Sequence, residues 1–143
     1  MTRSPLAAVL IGSALATGAV AAPAPLEGRW LTASGNLEVE IAPCGPAWCG
    51  TVTKVLGNKS MARDGDMQPA DPRPALGLTL LDGLQPDAEA TPATWHGTLY
   101  NREDGKTYRC RVQLDGADGL SLRAYVGVPL FGRSQRWVRA TAP

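Results

Sequence analysis

Tyr108-Arg109-Cys110-Arg111-Val112-Gln113-Leu114 and Leu120-Ser121-Leu122-Arg123-Ala124-Tyr125-Val126 stand on either side of Asp115-Gly116-Ala117-Asp118-Gly119. In each flank an apolar residue occupies every second place. Side chains of a strand alternate between its faces, so this spacing gives one dry face and one wet face. The Asp-Gly-rich stretch between them is a hairpin connection. The segment therefore predicts two antiparallel strands, with Tyr108, Cys110, Val112 and Leu114 facing the same way.

Leu37-Glu38-Val39-Glu40-Ile41 alternates in the same manner, and its two Glu side chains belong in water. Trp95 to Tyr100 reads as a strand with Trp95, Gly97 and Leu99 on one face. It joins the quoted hairpin through Asn101-Arg102-Glu103-Asp104-Gly105-Lys106, whose Asp-Gly marks a turn. Weaker strand signals run from Glu27 to Thr32, Trp48 to Leu56, Leu76 to Leu81 and Ser134 to Ala140. Gly57 to Ala75 and Asp82 to Thr94 read as irregular and proline-bearing. Sixteen Gly and 12 Pro favour turns over long helices. Beyond the first residues no window has a 3.6-residue apolar period.

Eight antiparallel strands with one apolar face close most economically into a β-barrel, because closure removes exposed edges. A two-sheet β-sandwich is the alternative. An eight-stranded interior is either filled by side chains or holds one small ligand. The chain ends favour closure. Gly28-Arg29-Trp30 opens the first strand and Trp137-Val138-Arg139 lies in the last, so a closed barrel makes them neighbours. Arg139 stacked on Trp30 would gain about 1 kcal/mol, and Gly28 would let another segment approach the indole.

Residues 1–21 read as an export signal: Arg3, an uncharged Leu/Ala/Val/Ile stretch from Leu6, and the small-x-small site Ala19-Val20-Ala21. Residues 22–143 are then one domain, periplasmic or secreted, with no transmembrane segment in the mature chain. In an oxidising compartment Cys44 and Cys49, around Gly45-Pro46, read as a disulfide across a turn. Cys110 is left as a small buried hydrophobe. A zinc site from Cys44, Cys49, Cys110 and His96 is the rival reading, opposed by export and by His96 alternating away from the Trp95 face.

Composition narrows function. The 44 % hydrophobic and 19 % charged residues argue against disorder, and a net charge of +1 removes the electrostatic case for nucleic acid. With one His a His-rich metal site cannot be assembled, and with His96 the only imidazole and no nucleophile elbow a catalytic triad at Ser121 or Ser134 is not expected. No glycine-rich phosphate loop occurs. Glu38 and Glu40 are solvated, Asp64-Gly65-Asp66 is a polar loop tip, and Asp104 bonds local amides. An enzyme, a cofactor and a resident metal are therefore not expected. From Tyr100 onward there are eight cations and four anions. Arg123, Arg133 and Arg136 read as a solvated exterior or, alternatively, as groups facing an anionic ligand head or envelope lipid. Gly127-Val128-Pro129-Leu130-Phe131-Gly132 is too apolar for an ordinary loop. It either plugs one barrel end or offers a patch to a partner.

The run Gly28-Arg29-Trp30-Leu31-Thr32, with Val39 to Gly45, Cys49-Gly50, Leu76-Gly77-Leu78, Tyr100-Asn101, Glu103 to Tyr108 and Gly127 to Arg139, resembles bacterial domain-of-unknown-function family 2147. The resemblance spans essentially the whole mature chain. It implies a small exported domain with a lipocalin-like (calycin-like) β-barrel, and no reaction. Gly28-x-Trp30 and the late Arg139 also look like the lipocalin signature. Cys110 stands where that family more usually has a small residue, and Met67 to Pro74 departs from its usual Asn-Pro-rich loop.

The expected role is that of an exported non-enzymatic binder of a small apolar or amphipathic molecule. Trp30, Val39, Ile41, Leu99, Tyr108, Val112, Leu122 and Trp137 are the candidate lining, with Gly28, Trp30 and Arg139 structural. The alternative is a filled barrel acting on an envelope protein through its surface, at Phe131, Arg133 and Arg136.

Overall fold

The computed structural model of the chain describes residues 2–5, 7–13, 25–128 and 132–141. Its strands are β1 (Gly28–Leu31), β2 (Leu37–Cys44), β3 (Ala47–Val55), β4 (Thr79–Pro86), β5 (Thr94–Asn101), β6 (Lys106–Asp115), β7 (Gly119–Tyr125) and β8 (Arg133–Arg139). Each pairs antiparallel with the next, and β1 pairs with β8 through Trp30↔Arg139 and Leu31↔Val138. The sheet is a closed barrel, which excludes the two-sheet sandwich. No helix occurs among the described residues.

In the β6–β7 hairpin Val112 opposes Leu122, Leu114 opposes Leu120 and Asp115 opposes Gly119, as the alternation requires. Inward side chains of neighbouring strands thus meet in pairs on one face. β4 departs from expectation. It begins at Thr79 rather than Leu76 and runs on to Pro86, through residues expected to be irregular. The reason is a register shift between Asp82 and Gln85, with Gly83 at φ +61°. That bulge turns both Leu81 and Leu84 into the core, so the period of two is broken and the sequence signal lost. Leu76 sits in the preceding turn and is exposed.

Alternation of direction sorts the connections. The β1–β2, β3–β4, β5–β6 and β7–β8 connections gather at one end of the barrel. The β2–β3, β4–β5 and β6–β7 turns gather at the other, with the start of β1 and the end of β8. This second end is sealed. Trp30, Val39, Ile41, Val52, Leu81, Leu84, Val112, Leu120 and Leu122 are fully buried in one cluster with Leu26. Gly50 and Gly97 leave room for it. A Cβ on Gly97 would stand 2.9 Å from the Leu84 side chain, and one on Gly50 3.0 Å from that of Val39.

Residues 7–13 belong to no regular element. Ala19-Val20-Ala21 lies outside the described residues, as do Pro129, Leu130 and Phe131. No described helix is long and apolar enough to cross a membrane.

Candidate functional site

The closed end shows how the chain termini are joined. The Arg139 guanidinium lies 4.1 Å from the centroid of the Trp30 ring. Its Nη1 donates to the Glu27 carbonyl at 2.8 Å and its Nη2 to that of Pro25 at 2.9 Å. The Trp30 indole donates to the Leu26 carbonyl at 2.8 Å. Gly28 has φ +121°, and a Cβ there would stand 2.8 Å from Arg139 Nη1. Glycine is needed at this point both for backbone conformation and for the space the guanidinium fills. Trp48 closes a neighbouring corner by donating to Glu27 Oε1 at 2.8 Å. The Cys44–Cys49 disulfide staples the β2–β3 turn at the same end.

Cys110 is fully buried, and burial pushes its thiol up to about 12. Among the described residues the Cys/His/acid group close enough to share an ion is Cys44, Cys49 and Asp82. The four zinc candidates read from sequence are therefore not brought together. His96 instead lies 3.1 Å from Asp87 on the exterior.

The other end opens into a half-enclosed cavity of about 720 Å³. Its apolar wall includes Leu37, Leu80, Leu99, Tyr108 and Trp137, and its rim Arg102, Glu103, Asp104 and Arg133. Arg133, Ser134 and Gln135 line it near the start of β8, and Trp137 lies further down the same strand. The indole of Trp137 donates to Gln135 Oε1 at 2.9 Å. A volume of this size falls in the range of small-molecule sites.

Of the eight candidate lining residues, Leu99, Tyr108 and Trp137 border the cavity. Trp30, Val39, Ile41, Val112 and Leu122 are buried in the same core but are not among the residues that border the cavity. A strand's alternation gives the face of a side chain and leaves its depth along the barrel open. Arg133 stands at the rim, whereas Arg136 pairs with Asp115 at 2.9 Å beside the β6–β7 turn. The two do not form one patch. Arg123 donates to Ser134 Oγ at 2.8 Å. The described part of the β7–β8 connection leaves Val126 and Val128 exposed, with Val126 on the cavity rim. Phe131 lies outside the described residues.

One wall comes from an unexpected source. Met61, Ala62 and Met67 of the long β3–β4 connection border the cavity. This connection is tied to the β5–β6 hairpin by Asp71, which is almost fully buried. Asp71 accepts from Arg73 Nη2 at 2.6 Å, from the Arg73 amide at 2.8 Å and from the Tyr100 hydroxyl at 2.5 Å. Chiefly because of Arg73, and then Tyr100, its carboxyl is held well below the usual range. The same bond raises the Tyr100 phenol. The Ala70 amide donates to the Glu103 carbonyl at 3.1 Å. One local signal for this anchor was present: Asp71-Pro72-Arg73 is an Asx-turn sequence. Its partner Tyr100 is too distant in the chain to be inferred. At the hairpin tip Asp104 accepts from the Lys106 amide at 2.8 Å and from the Tyr108 hydroxyl. That second bond raises the Tyr108 phenol.

Protein HP1028 from Helicobacter pylori, described as belonging to the lipocalin family, has a similar structure at a TM-score of 0.57 and 18 % identity. The similarity covers 81 % of this chain and 83 % of that one, and it shows a shared lipocalin-like barrel. No curated protein matches the chain. Residues 28–139 match the family described as "Uncharacterized protein conserved in bacteria (DUF2147)", from the glycine beneath Arg139 to Arg139 itself. The chain belongs to this bacterial family.

Proposed function

We infer that the protein is a non-enzymatic binder of a small amphipathic molecule, exported to the bacterial envelope. The observation that carries this reading is the division of one barrel into a packed half and an open half. The open half is a cavity of about 720 Å³ with Leu37, Leu80, Leu99 and Trp137 in its wall and polar groups at its rim. Apolar burial drives a ligand's hydrocarbon part inward, and the rim groups fix its polar part. The leader-like residues 1–21 and the Cys44–Cys49 disulfide support export.

The test is titration with N-phenyl-1-naphthylamine, a neutral apolar dye. Saturable enhancement at one site per chain, with quenching of Trp emission, is expected. Leu99→Phe and Leu80→Phe should weaken it by partly filling the cavity, while Val112→Ala in the packed half should not. Absence of saturable binding by neutral and charged apolar probes alike would overturn the reading. The exposed Val126 and Val128 favour a second use of the same end, contact with an envelope protein through the rim. Phe131 and Arg133 would then contribute, and a Val126→Asp/Val128→Asp variant would lose that partner while keeping the dye.

A further inference from the structure

Two guanidinium groups at the cavity rim, on Arg102 and Arg133, are held by no acid. Among the described residues neither takes part in an ion pair. Arg102 is the more telling of the two. Its Nη1 reaches only the Met67 sulfur, at 3.9 Å, and its Nε–H is buried without an acceptor. A thioether is a weak acceptor. A charged group with a buried, unmet donor is costly; that Nε–H is out of a ligand's reach, but an oxygen anion on the cavity-facing part of the guanidinium would offset the solvation the charge has lost.

The rim also carries Glu103 and Asp104, so its sum of charge does not decide the matter. Their bonding does. Glu103 Oε1 accepts from the Ser60 hydroxyl at 2.5 Å. Asp104 uses one oxygen for the Lys106 amide and the other for the Tyr108 hydroxyl. Both acids are engaged by the protein's own donors, whereas among the described residues neither cation has an acid partner. The unmet demand at the mouth is for an acceptor.

We propose that the cavity takes an amphipath with an anionic oxygen head, a carboxylate or a phosphate monoester, held by Arg102 and Arg133 with its tail over Leu80, Leu99 and Trp137. Arg102 supplies a planar fork suited to two oxygens of one head. Arg133, at the exposed start of β8, adds charge on the approach side. The inference rests on the cavity being a ligand site and adds to it the sign of the head.

The test uses four probes with the same ten-carbon tail: decanoate, decyl phosphate, decanol and decyltrimethylammonium. Each displaces N-phenyl-1-naphthylamine from the purified protein. At least one anionic probe is expected to bind about tenfold or more tighter than decanol, the worth of one charge-assisted hydrogen bond. Which anion is preferred separates a carboxylate from a phosphate source. In Arg102→Gln/Arg133→Gln the ratio should fall towards one with decanol affinity unchanged. Arg133→Gln alone, at an exposed side chain with no hydrogen bond or ion pair among the described residues, should lower the ratio severalfold even if Arg102→Gln disturbs folding. Equal affinity for anion and alcohol in the unsubstituted protein, preference for the ammonium probe, or a ratio that survives both substitutions would overturn the head assignment and leave the cavity reading standing. Failure of all four probes and of the dye would overturn both.

Discussion

Arg139→Ala isolates the device that joins the chain ends. The wild-type guanidinium lies 4.1 Å from the centroid of a fully buried indole. A cation over a desolvated Trp is worth about 1–2 kcal/mol. Three carbonyls, of Glu27, Pro25 and Ala117, lose their donor as well. A hydrogen bond from a charged donor nominally contributes about 1.5–3 kcal/mol, but Arg139 is only partly buried and water can take its place, so about 0.5 kcal/mol each is the fitting value. The expected loss is therefore about 2.5–3.5 kcal/mol, or a midpoint lowered by about 10–14 °C in a domain of this size. Urea unfolding followed by Trp emission measures it. Arg139→Lys should recover part of the loss, since an ammonium keeps the charge but not the flat stack. A double-mutant cycle with Trp30→Leu should give a coupling of about 1 kcal/mol. Gly28→Ala should act in the same direction, because its Cβ would press on Nη1 from 2.8 Å. A loss below about 0.5 kcal/mol for Arg139→Ala, or a coupling near zero, would refute the claim that this stack secures the barrel.

Three further outcomes are expected. Cys110, fully buried with its thiol pushed up to about 12, should resist a thiol reagent in the native protein at pH 8. Under denaturation without reductant one thiol per chain should appear, and three would remove the Cys44–Cys49 bond from the account. Reducing that bond, which closes a loop of sequence separation 5, should cost about 2 kcal/mol on chain-entropy grounds, read as a shift in urea midpoint. Asp71 has a native pKa below its unfolded value. Its stabilisation is thus fully present above the ordinary carboxylate range, about pH 4, and is lost as pH falls towards the native pKa. Asp71→Asn should flatten that part of the stability profile between pH 5 and 2, and an unchanged slope would refute the assignment.

What could be read in the sequence follows from what alternation encodes. Tyr108 to Leu114 and Leu120 to Val126 carry the apolar alternation, and the two strands pair antiparallel from Arg109↔Tyr125 to Leu114↔Leu120. β4 was displaced because Leu81 and Leu84 are three apart yet both inward, across a bulge at Gly83 that no period of two describes. At the site, inwardness was legible for Leu99 and Trp137, but so it was for Val39 and Ile41, which do not border the cavity. Depth along a barrel depends on where the chain enters and on which end is capped, and local pattern carries neither. The wall built by Met61 and Met67 was hidden for a different reason. Their segment is polar and proline-rich by composition, and it is placed by a buried carboxylate on a tyrosine 29 residues away.

The two ends of the barrel can therefore be varied separately, and this follows from where the bonds lie. Arg139, Trp30, Gly28 and the disulfide all act at the packed end, which borders no part of the cavity. Asp71 acts at the open end, holding the connection that carries Met61 and Met67 against the hairpin that carries Arg102. Loosening the packed end should lower stability while the folded fraction keeps its affinity for an apolar probe. Loosening Asp71 should alter the width of the mouth and the position of Arg102, and so change affinity, while the Trp30 stack stays as it is. A barrel filled along its whole axis would couple every such change to stability, because its interior packs as one unit. Here a filled half bears the fold and leaves the other half free to remain open.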